Sequence, residues 1–148
     1  MFSQKCQYAL RAIFELAKRA GQGPVKIATI ADAQAIPSRF LEVILGQMKR
    51  GRFVDSTRGA AGGYELARSP SDLTIGEVIR FVEGPLDPVM CMGEGGAEQC
   101  PLYAHCVFLP MWRKASGAMA DVYDRTTFQE LVEDEKRKSR EYVASYSI

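Results

Sequence analysis

The sequence has no long apolar run. No stretch within its 148 residues approaches the ~18 consecutive apolar residues that a membrane-spanning helix needs. Near the first residue, the charged side chains of Arg11, Glu15, Lys18 and Arg19 interrupt the apolar ones, so the apolar core of a secretory signal is also missing. We therefore expect a cytoplasmic protein that does not contact a membrane and whose thiols stay reduced.

The motifs of catalysis and of nucleotide binding are missing as well. The chain contains one histidine, His105, and no C-x-x-C, H-E-x-x-H or nucleophile-elbow motif. Gly59, Gly62 and Gly63 lie close together but match neither common phosphate-loop pattern, and a strand is predicted to follow them where such a loop needs a helix. We therefore do not expect an enzyme or a nucleotide-binding loop.

The charge is small overall but unevenly distributed. The formal net charge is +1, yet residues 1–84 contain 12 Lys and Arg against 8 Asp and Glu, whereas residues 85–148 contain 7 against 10. Five basic residues and two acidic ones lie between residues 36 and 59. A local basic patch is typical of a nucleic-acid-binding surface, although a solvated helix face has the same composition.

The first 50 residues have the pattern of three helices. Apolar residues recur at helical spacing over residues 4–20 and, more briefly, over residues 26–36. A third helix is predicted over residues 38–50, where Pro37 and Ser38 are start signals and the Ser38 hydroxyl is expected to cap the helix. Because only a few residues separate the second helix from the third, the pair is predicted to form a helix-turn-helix.

A short β-hairpin is predicted directly after the third helix. Residues 52–56 and 63–67 have the composition of strands, and the glycine-containing segment 57–62 between them carries Arg58 at its tip. A hairpin in this position is the wing of a winged helix.

Two capping boxes indicate where later helices begin. Thr74 and Glu77 have the S/T-x-x-E spacing in which the two residues cap each other's backbone, and a helix is predicted over residues 74–85. Thr127 and Glu130 have the same spacing and are predicted to begin the last helix.

The helix predicted over residues 110–124 has a narrow apolar seam. The seam residues follow one another at intervals of 3, 4 and 3, as in a coiled coil: Trp112, Ala115, Met119 and Val122. Such a stripe belongs either to the core of the chain or to a dimer interface.

The predicted fold class is therefore mainly α with a small β-hairpin wing: a winged helix-turn-helix plus a long C-terminal dimerisation helix. The predicted domains are residues 1–84 for the winged helix-turn-helix, residues 85–108 for a cysteine-containing sensor loop, and residues 109–148 for the dimerisation helix and the C-terminal helix.

Three of the four cysteines lie in one short segment, as Cys91, Cys100 and Cys106. In a reducing compartment such a group indicates metal or redox chemistry more often than a structural disulfide. The segment "EGGAEQ" (94–99) is expected to supply the flexibility that lets one loop wrap a cluster. An iron–sulfur cluster, a thiol or disulfide switch, zinc, and no chemistry at all remain alternatives. The fourth ligand is open among Glu94, Glu98, His105 and a small molecule.

Four features together resemble the Rrf-two (Rrf2) family of bacterial winged-helix transcriptional regulators. They are "YALRAIFELA" (8–17), "GPVKIATIADAQAIPSRFLEVIL" (23–45), "VDSTRGAAGGYELARSPSDLTIGEVI" (54–79) and the three-cysteine loop before a long helix. The resemblance covers nearly the whole chain. It implies a homodimer whose two recognition helices enter successive major grooves of a near-palindromic operator in double-stranded DNA.

The resemblance also implies site residues and a cofactor. The DNA-binding residues would be Ser38, Arg39, Phe40, Glu42, Val43, Arg50, Arg58 and Gly59. An iron–sulfur cluster, 2Fe-2S or 4Fe-4S, would be bound by Cys91, Cys100 and Cys106 and would sense redox state, iron–sulfur status or nitric oxide. The alternatives are a thiol-based redox-switch regulator without a cluster and a small cluster-carrying redox protein.

Overall fold

The computed structural model describes the backbone of residues 1–146 and the side chains of residues 1–144. Seven helices and one hairpin follow in chain order: α1 (Gln4–Lys18), α2 (Ile27–Gln34), α3 (Ser38–Arg50), β1 (Val54–Thr57), β2 (Gly63–Leu66), α4 (Ile75–Glu83), the short α5 (Gly96–Gln99), α6 (Leu109–Arg125) and α7 (Phe128–Tyr146). The predicted winged-helix fold class is confirmed. Among the described residues, no helix is long and apolar enough to cross a membrane.

Helix α3 is held in place by one apolar face. Leu41, Ile44, Leu45 and Met48 are buried at the spacing of a single helix face, and they pack into the core that α1 and α2 also build. Burial of each such side chain contributes about 1.5–3 kcal/mol. The orientation of α3 about its own axis is therefore determined by its core face, and the opposite face is left exposed.

The turn between α2 and α3 differs from the predicted one. Pro37 occupies the cap position, and its carbonyl accepts hydrogen bonds from the backbone N–H groups of Phe40 and Leu41. Ser38 is therefore already the first helical residue, and its side chain makes no capping hydrogen bond. The prediction that Ser38 caps α3 is wrong, because the helix begins one residue too early for a serine cap.

Ala35 ends α2 in the left-handed region, with φ of 50° and ψ of 49°. A residue with a Cβ is strained there by about 1–2 kcal/mol. We expect Ala35→Gly to raise the free energy of unfolding by about 0.5–1 kcal/mol, since glycine relieves the strain at some cost in chain entropy. Urea titration measures the change. Ala33→Gly, at an exposed position inside α2, is the matched control and should lower the same quantity; stabilisation by both changes would contradict the explanation.

The wing is attached to the segment before α2. β1 and β2 pair antiparallel, with Val54 opposite Leu66. In addition, Val25 and Tyr64 exchange two backbone hydrogen bonds of 2.8 Å each. Gly63 permits this approach, because a Cβ there would lie 2.3 Å from the Val25 carbonyl oxygen. The position of the wing relative to the helix-turn-helix is thus set by a bridge that the local sequence pattern does not reveal.

Both predicted capping boxes are confirmed. The Thr74 hydroxyl accepts from the Glu77 N–H at 3.3 Å, and the Glu77 carboxylate accepts from the Thr74 N–H at 3.0 Å. Thr127 and Glu130 make the same reciprocal pair at 3.2 and 2.9 Å. These bonds satisfy backbone donors that have no partner inside a helix, and they fix the starts of α4 and α7.

The two C-terminal helices differ in how they pack. Phe128 of α7 is 0% exposed and lies in the same core as α1 and α3. In α6, by contrast, Trp112 is half-buried, while Ala115, Met119 and Val122 are exposed. The seam of α6 is therefore largely uncovered within its own chain.

A buried carboxylate joins α1 to α2. Glu15 is 1% exposed, and its two carboxylate oxygens accept hydrogen bonds of 2.7 Å from Arg19 and from Gln34 of α2. Burial alone would raise the pKa of the Glu15 carboxyl. The hydrogen bonds from Gln34 and Arg19 and the charges of Lys18 and Arg19 outweigh burial, so the pKa lies below its ordinary range.

The lowered pKa predicts a pH-dependent contribution of Glu15 to stability. A carboxyl whose pKa is lower in the folded state stabilises the fold above its unfolded pKa of about 4.3, and this contribution is lost as the pH falls through the folded value. We expect Glu15→Gln to lower the free energy of unfolding by about 1.5–3 kcal/mol near pH 7, and the difference from wild type to shrink below about pH 4.3. Urea titrations between pH 3 and 7 measure it; a difference that grows with acidity would contradict the sign.

Candidate functional site

The exposed face of α3 carries five of the sequence-predicted DNA-binding residues: Ser38, Arg39, Phe40, Glu42 and Val43 are all exposed. The Arg39 guanidinium lies over the Phe40 ring, 4.8 Å from its centroid, which is the geometry of a cation–π contact. The face therefore offers a cation, an anion and apolar groups side by side. Arg50, the last residue of α3, is exposed as well.

The tip of the wing presents Arg58 and Gly59, which are both exposed. Gly59 has φ of 105°, a conformation that residues with a Cβ rarely adopt. The Gly62 N–H donates to the Gly59 carbonyl at 3.0 Å, and a Cβ on Gly62 would lie 2.2 Å from the Thr57 carbonyl oxygen. The glycines thus form a tight turn that holds the Arg58 backbone at the tip.

A basic cleft connects α2, α3 and the wing. It has a volume of about 570 Å³, and the Lys49 Nζ donates to the Ser56 Oγ at 2.5 Å across it. Within the described part of the chain, its lining contains three basic side chains and no acidic one. Such a surface suits the phosphates of a nucleic-acid backbone. The charged and hydroxyl-bearing residues that line it include Lys26, Lys49, Ser56, Thr57 and Arg58.

Lys26 is a functional candidate that the sequence analysis missed. It lies 23 residues before Lys49 and outside the basic stretch of residues 36–59. It reaches the cleft because Val25 is bridged to the wing at Tyr64. The segment GPVK (23–26) before α2 has no pattern that indicates DNA contact, so only the folded arrangement reveals Lys26 as a candidate.

The cysteine segment is folded into short turns where a flexible loop was expected. Cys91 lies in a 3-10 turn (Met90–Met92), Cys100 directly follows α5, and Cys106 follows the turn Tyr103–His105. All three are half-buried. Gly96 is buried, and a Cβ there would lie 2.2 Å from the Cys91 carbonyl oxygen. Glycine is thus required for close packing of α5 on the first turn.

The thiols of Cys91, Cys100 and Cys106 have the chemistry of cluster ligands, but they are not arranged as a cluster site. Three thiols are the ligands that iron–sulfur clusters take. Within residues 1–144, however, no three His, Cys, Asp or Glu side chains form a group that could hold a metal ion. The open candidates for a fourth ligand, Glu94, Glu98 and His105, are exposed. The described arrangement therefore does not fit a bound cluster unless the short turns move.

Cys6 has a different environment from the other cysteines. It lies on α1 and is 0% exposed. Burial raises the pKa of its thiol to about 11, and the negative charge of Glu83 acts in the same direction. A buried thiol that stays protonated is unreactive, so Cys6 is a packing residue.

This difference predicts the pattern of alkylation. In reduced, metal-free protein we expect Cys91, Cys100 and Cys106 to react with iodoacetamide and Cys6 to remain unmodified, because the thiolate is the reactive form. All four should react in denaturant. Peptide mass spectrometry measures each position, and a Cys6→Ala variant is the control that should change only the denatured count. Native labelling of Cys6 at the rate of the other three would contradict the assignment.

Exposed apolar residues extend from the end of the cysteine segment along α6. Large exposed apolar patches are typical of interaction surfaces. The exposed residues here are Val107, Phe108, Met111, Met119 and Val122.

Comparison with known proteins agrees with this architecture. The Rrf2 family model, described as an iron-dependent transcriptional regulator, matches residues 2–134. The HTH-type transcriptional regulator IscR of Escherichia coli (strain K12 / DH10B) is 31% identical over 134 residues, which are 90% of this chain and 81% of IscR. These matches concern transcriptional regulators.

Solved structures show the same likeness. CymR (YrzC), the global cysteine regulator of B. subtilis, has a TM-score of 0.74 at 31% identity, with coverage of 90% of this chain and 96% of that chain. T. potens IscR has a TM-score of 0.73 at 31% identity, with coverage of 91% and 88%. The resemblance seen in the sequence motifs is confirmed: the chain belongs to the Rrf2 family of transcriptional regulators.

Proposed function

We propose that this regulator binds a near-palindromic operator as a homodimer, with α3 in the major groove and the wing in the adjacent minor groove. The observation that carries the proposal is the basic cleft, because it joins the start of α2, the end of α3 and the wing into one surface. A surface with three cations and no acid in its described lining attracts phosphates. The exposed face of α3 continues this surface toward the bases.

The residues have distinct roles in this proposal. Ser38 and Arg50 bind phosphates, Arg39 binds phosphate or guanine, and Glu42 accepts from cytosine. Arg58 enters the narrow minor groove with the Gly59 backbone beside it, where an arginine responds to groove width more than to base identity. Phe40 and Val43 face the base edges.

The uncovered seam of α6 supports the proposed homodimer. Met119 and Val122 are 39% and 61% exposed, and the seam has coiled-coil spacing. A second copy of the same helix covers such a seam by two-fold symmetry, and a two-fold protein binds a near-palindromic site. In this proposal residues 1–84 bind DNA, residues 85–108 sense the signal, and residues 109–148 hold the dimer.

In this proposal the signal is sensed at Cys91, Cys100 and Cys106, which would hold an iron–sulfur cluster, 2Fe-2S or 4Fe-4S, after the short turns rearrange. The cluster would supply a redox-reactive group. Two observations support this part of the proposal. The three thiols are ligands that such clusters take, and the matching family model is described as an iron-dependent transcriptional regulator, with IscR among the relatives. Cys106 lies three residues before Leu109, where α6 begins, so a rearrangement of the cysteine segment acts directly on the dimer helix.

A thiol-based redox switch without a cluster is the second candidate. The observation that favours it is that Cys91, Cys100 and Cys106 are free, half-buried thiols that form no metal-holding group within the described residues. A small cluster-carrying redox protein is disfavoured, because the matched relatives are transcriptional regulators.

Anaerobic purification separates these possibilities. An absorption spectrum with iron and sulfide analysis determines whether a cluster is present, and DNA affinity is then measured for cluster-bearing protein, cluster-free protein and a triple Cys91, Cys100, Cys106→Ala variant, with Cys6→Ala as the matched control. Equal affinities of these three forms would rule out cluster-based sensing. A metal-free protein whose affinity changes on oxidation would establish the switch. If no form binds duplex DNA at low salt, the proposed function itself is wrong.

A further inference from the structure

Two large apolar side chains on α3 have no role in the core. Phe40 is 47% exposed and Val43 is 60% exposed. They lie three residues apart and therefore on one helix face. The core face of the same helix is complete without them, since its buried residues are Leu41, Ile44, Leu45 and Met48. Folding therefore does not account for apolar groups at these two positions.

Their local environment leaves them free to meet a ligand. Val43 is β-branched, so its χ1 angle is restricted and its two methyl groups present a defined surface. One turn further, Gly46 has no atom within 4 Å of the place where a Cβ would be, so the space beside Val43 stays open. The Phe40 ring is packed on one side by the Arg39 guanidinium, which restricts its orientation as well.

The chemistry of the major groove offers these side chains one partner. A valine can neither donate nor accept a hydrogen bond, so it cannot bind a phosphate or the polar edge of a base. The apolar group that a base presents in the major groove is the 5-methyl group of thymine. The cations around this face, among them Arg39, Lys49 and Arg50, argue for a nucleic acid and against an apolar protein surface as its occupant.

We propose that Val43, with Phe40 beside it, recognises the 5-methyl group of a thymine in each operator half-site. This inference rests on the proposed function and adds the base chemistry to it. The neighbouring Glu42 supplies the polar selectivity of the same face, so a half-site in which a thymine lies next to a cytosine matches the pair of side chains.

Deoxyuridine tests the proposal, because it pairs like thymine but lacks the 5-methyl group. A preferred operator is first selected from a random 30-base-pair duplex library with wild-type protein, and each thymine is then replaced by deoxyuridine. One thymine per half-site should be sensitive. Loss of one buried methyl group should weaken binding about fourfold, and symmetric replacement in both half-sites about 15-fold. Deoxyuridine outside the half-sites is the matched control and should have no effect.

Val43→Ala assigns the effect to the side chain. Because Val43 is exposed, the variant should fold, which a urea titration verifies. It should bind the thymine and deoxyuridine operators with nearly equal affinity, so the ratio of these two affinities should be close to one, below the wild-type ratio. The inference would be overturned, while DNA binding stands, by any of three results: Val43→Ala keeps the full wild-type ratio of thymine to deoxyuridine affinity, no half-site thymine is sensitive to replacement, or the selected half-sites contain no thymine. Absence of duplex binding by the wild-type protein would instead overturn the proposed function.

Discussion

A protein in which Lys26 and Lys49 are both replaced by alanine is expected to bind operator DNA about 10³-fold more weakly at 0.1 M salt. The proposed dimer would lose four cationic contacts, and each phosphate neutralised contributes about 0.9 to the salt slope. Both lysines line the basic cleft. The slope of log K against log salt should become less steep by about 3–4. Fluorescence anisotropy over a salt series measures both quantities.

The matched control is the double replacement of Lys136 and Arg140 by alanine. Both residues are exposed on α7, and the change removes the same number of positive charges. We expect the salt slope of this control to stay at the wild-type value, because phosphate contacts act locally and other charges are screened. Equal slopes for the cleft variant and wild type would show that the cleft does not bind phosphates. Loss of affinity on operator and on unrelated DNA alike is the expected signature of a phosphate contact.

Replacement of Phe128 by alanine is expected to lower the free energy of unfolding by about 3–5 kcal/mol, the range for removal of a buried aromatic side chain. Phe128 is 0% exposed and is the largest fully buried side chain described. Its backbone N–H also donates to the Leu73 carbonyl at 3.0 Å. Since a domain is stable by about 5–15 kcal/mol, the variant should unfold at a much lower denaturant concentration.

Leu102→Ala provides the control for this experiment. Leu102 is 73% exposed in the cysteine segment, so its replacement should change the free energy of unfolding by no more than about 0.5 kcal/mol. Urea titration followed by circular dichroism measures both variants at one protein concentration. A loss of under about 1 kcal/mol in Phe128→Ala would mean that α7 does not hold the core together as the burial of Phe128 indicates.

The burial of Phe128 also bears on the domain boundaries predicted from the sequence. The stretch 109–148 was predicted as one unit of dimerisation and C-terminal helices. Phe128 and Val132 of α7 nevertheless lie in the core with α1 and α3. The capping box at Thr127 and Glu130 indicated where α7 begins, but it carries no information on where the apolar face of the helix packs.

The sequence by itself determined the features that depend only on residues close together in the chain. The helices, both capping boxes, the hairpin and the family motifs rest on relations over three, four or a few more residues, and all of them appear in the structure. The exposed sides of α3 could also be anticipated, because its apolar residues recur at the spacing of one helix face. The predicted cap of α3 was wrong because Pro37 and Ser38 are adjacent start signals, and the sequence does not indicate which of the two occupies the cap position.

Only the tertiary structure decided which distant residues meet. Lys26 reaches the cleft through the Val25–Tyr64 bridge, which joins residues far apart in the chain. Gly96 packs against Cys91, and the three cysteines remain ungrouped within the described residues. Such contacts depend on burial and on shape, which no local period encodes. The sequence therefore identified the exposed face of α3 and the cysteine segment, whereas the folded chain determined that Lys26 joins Lys49 and Arg58 in one basic cleft.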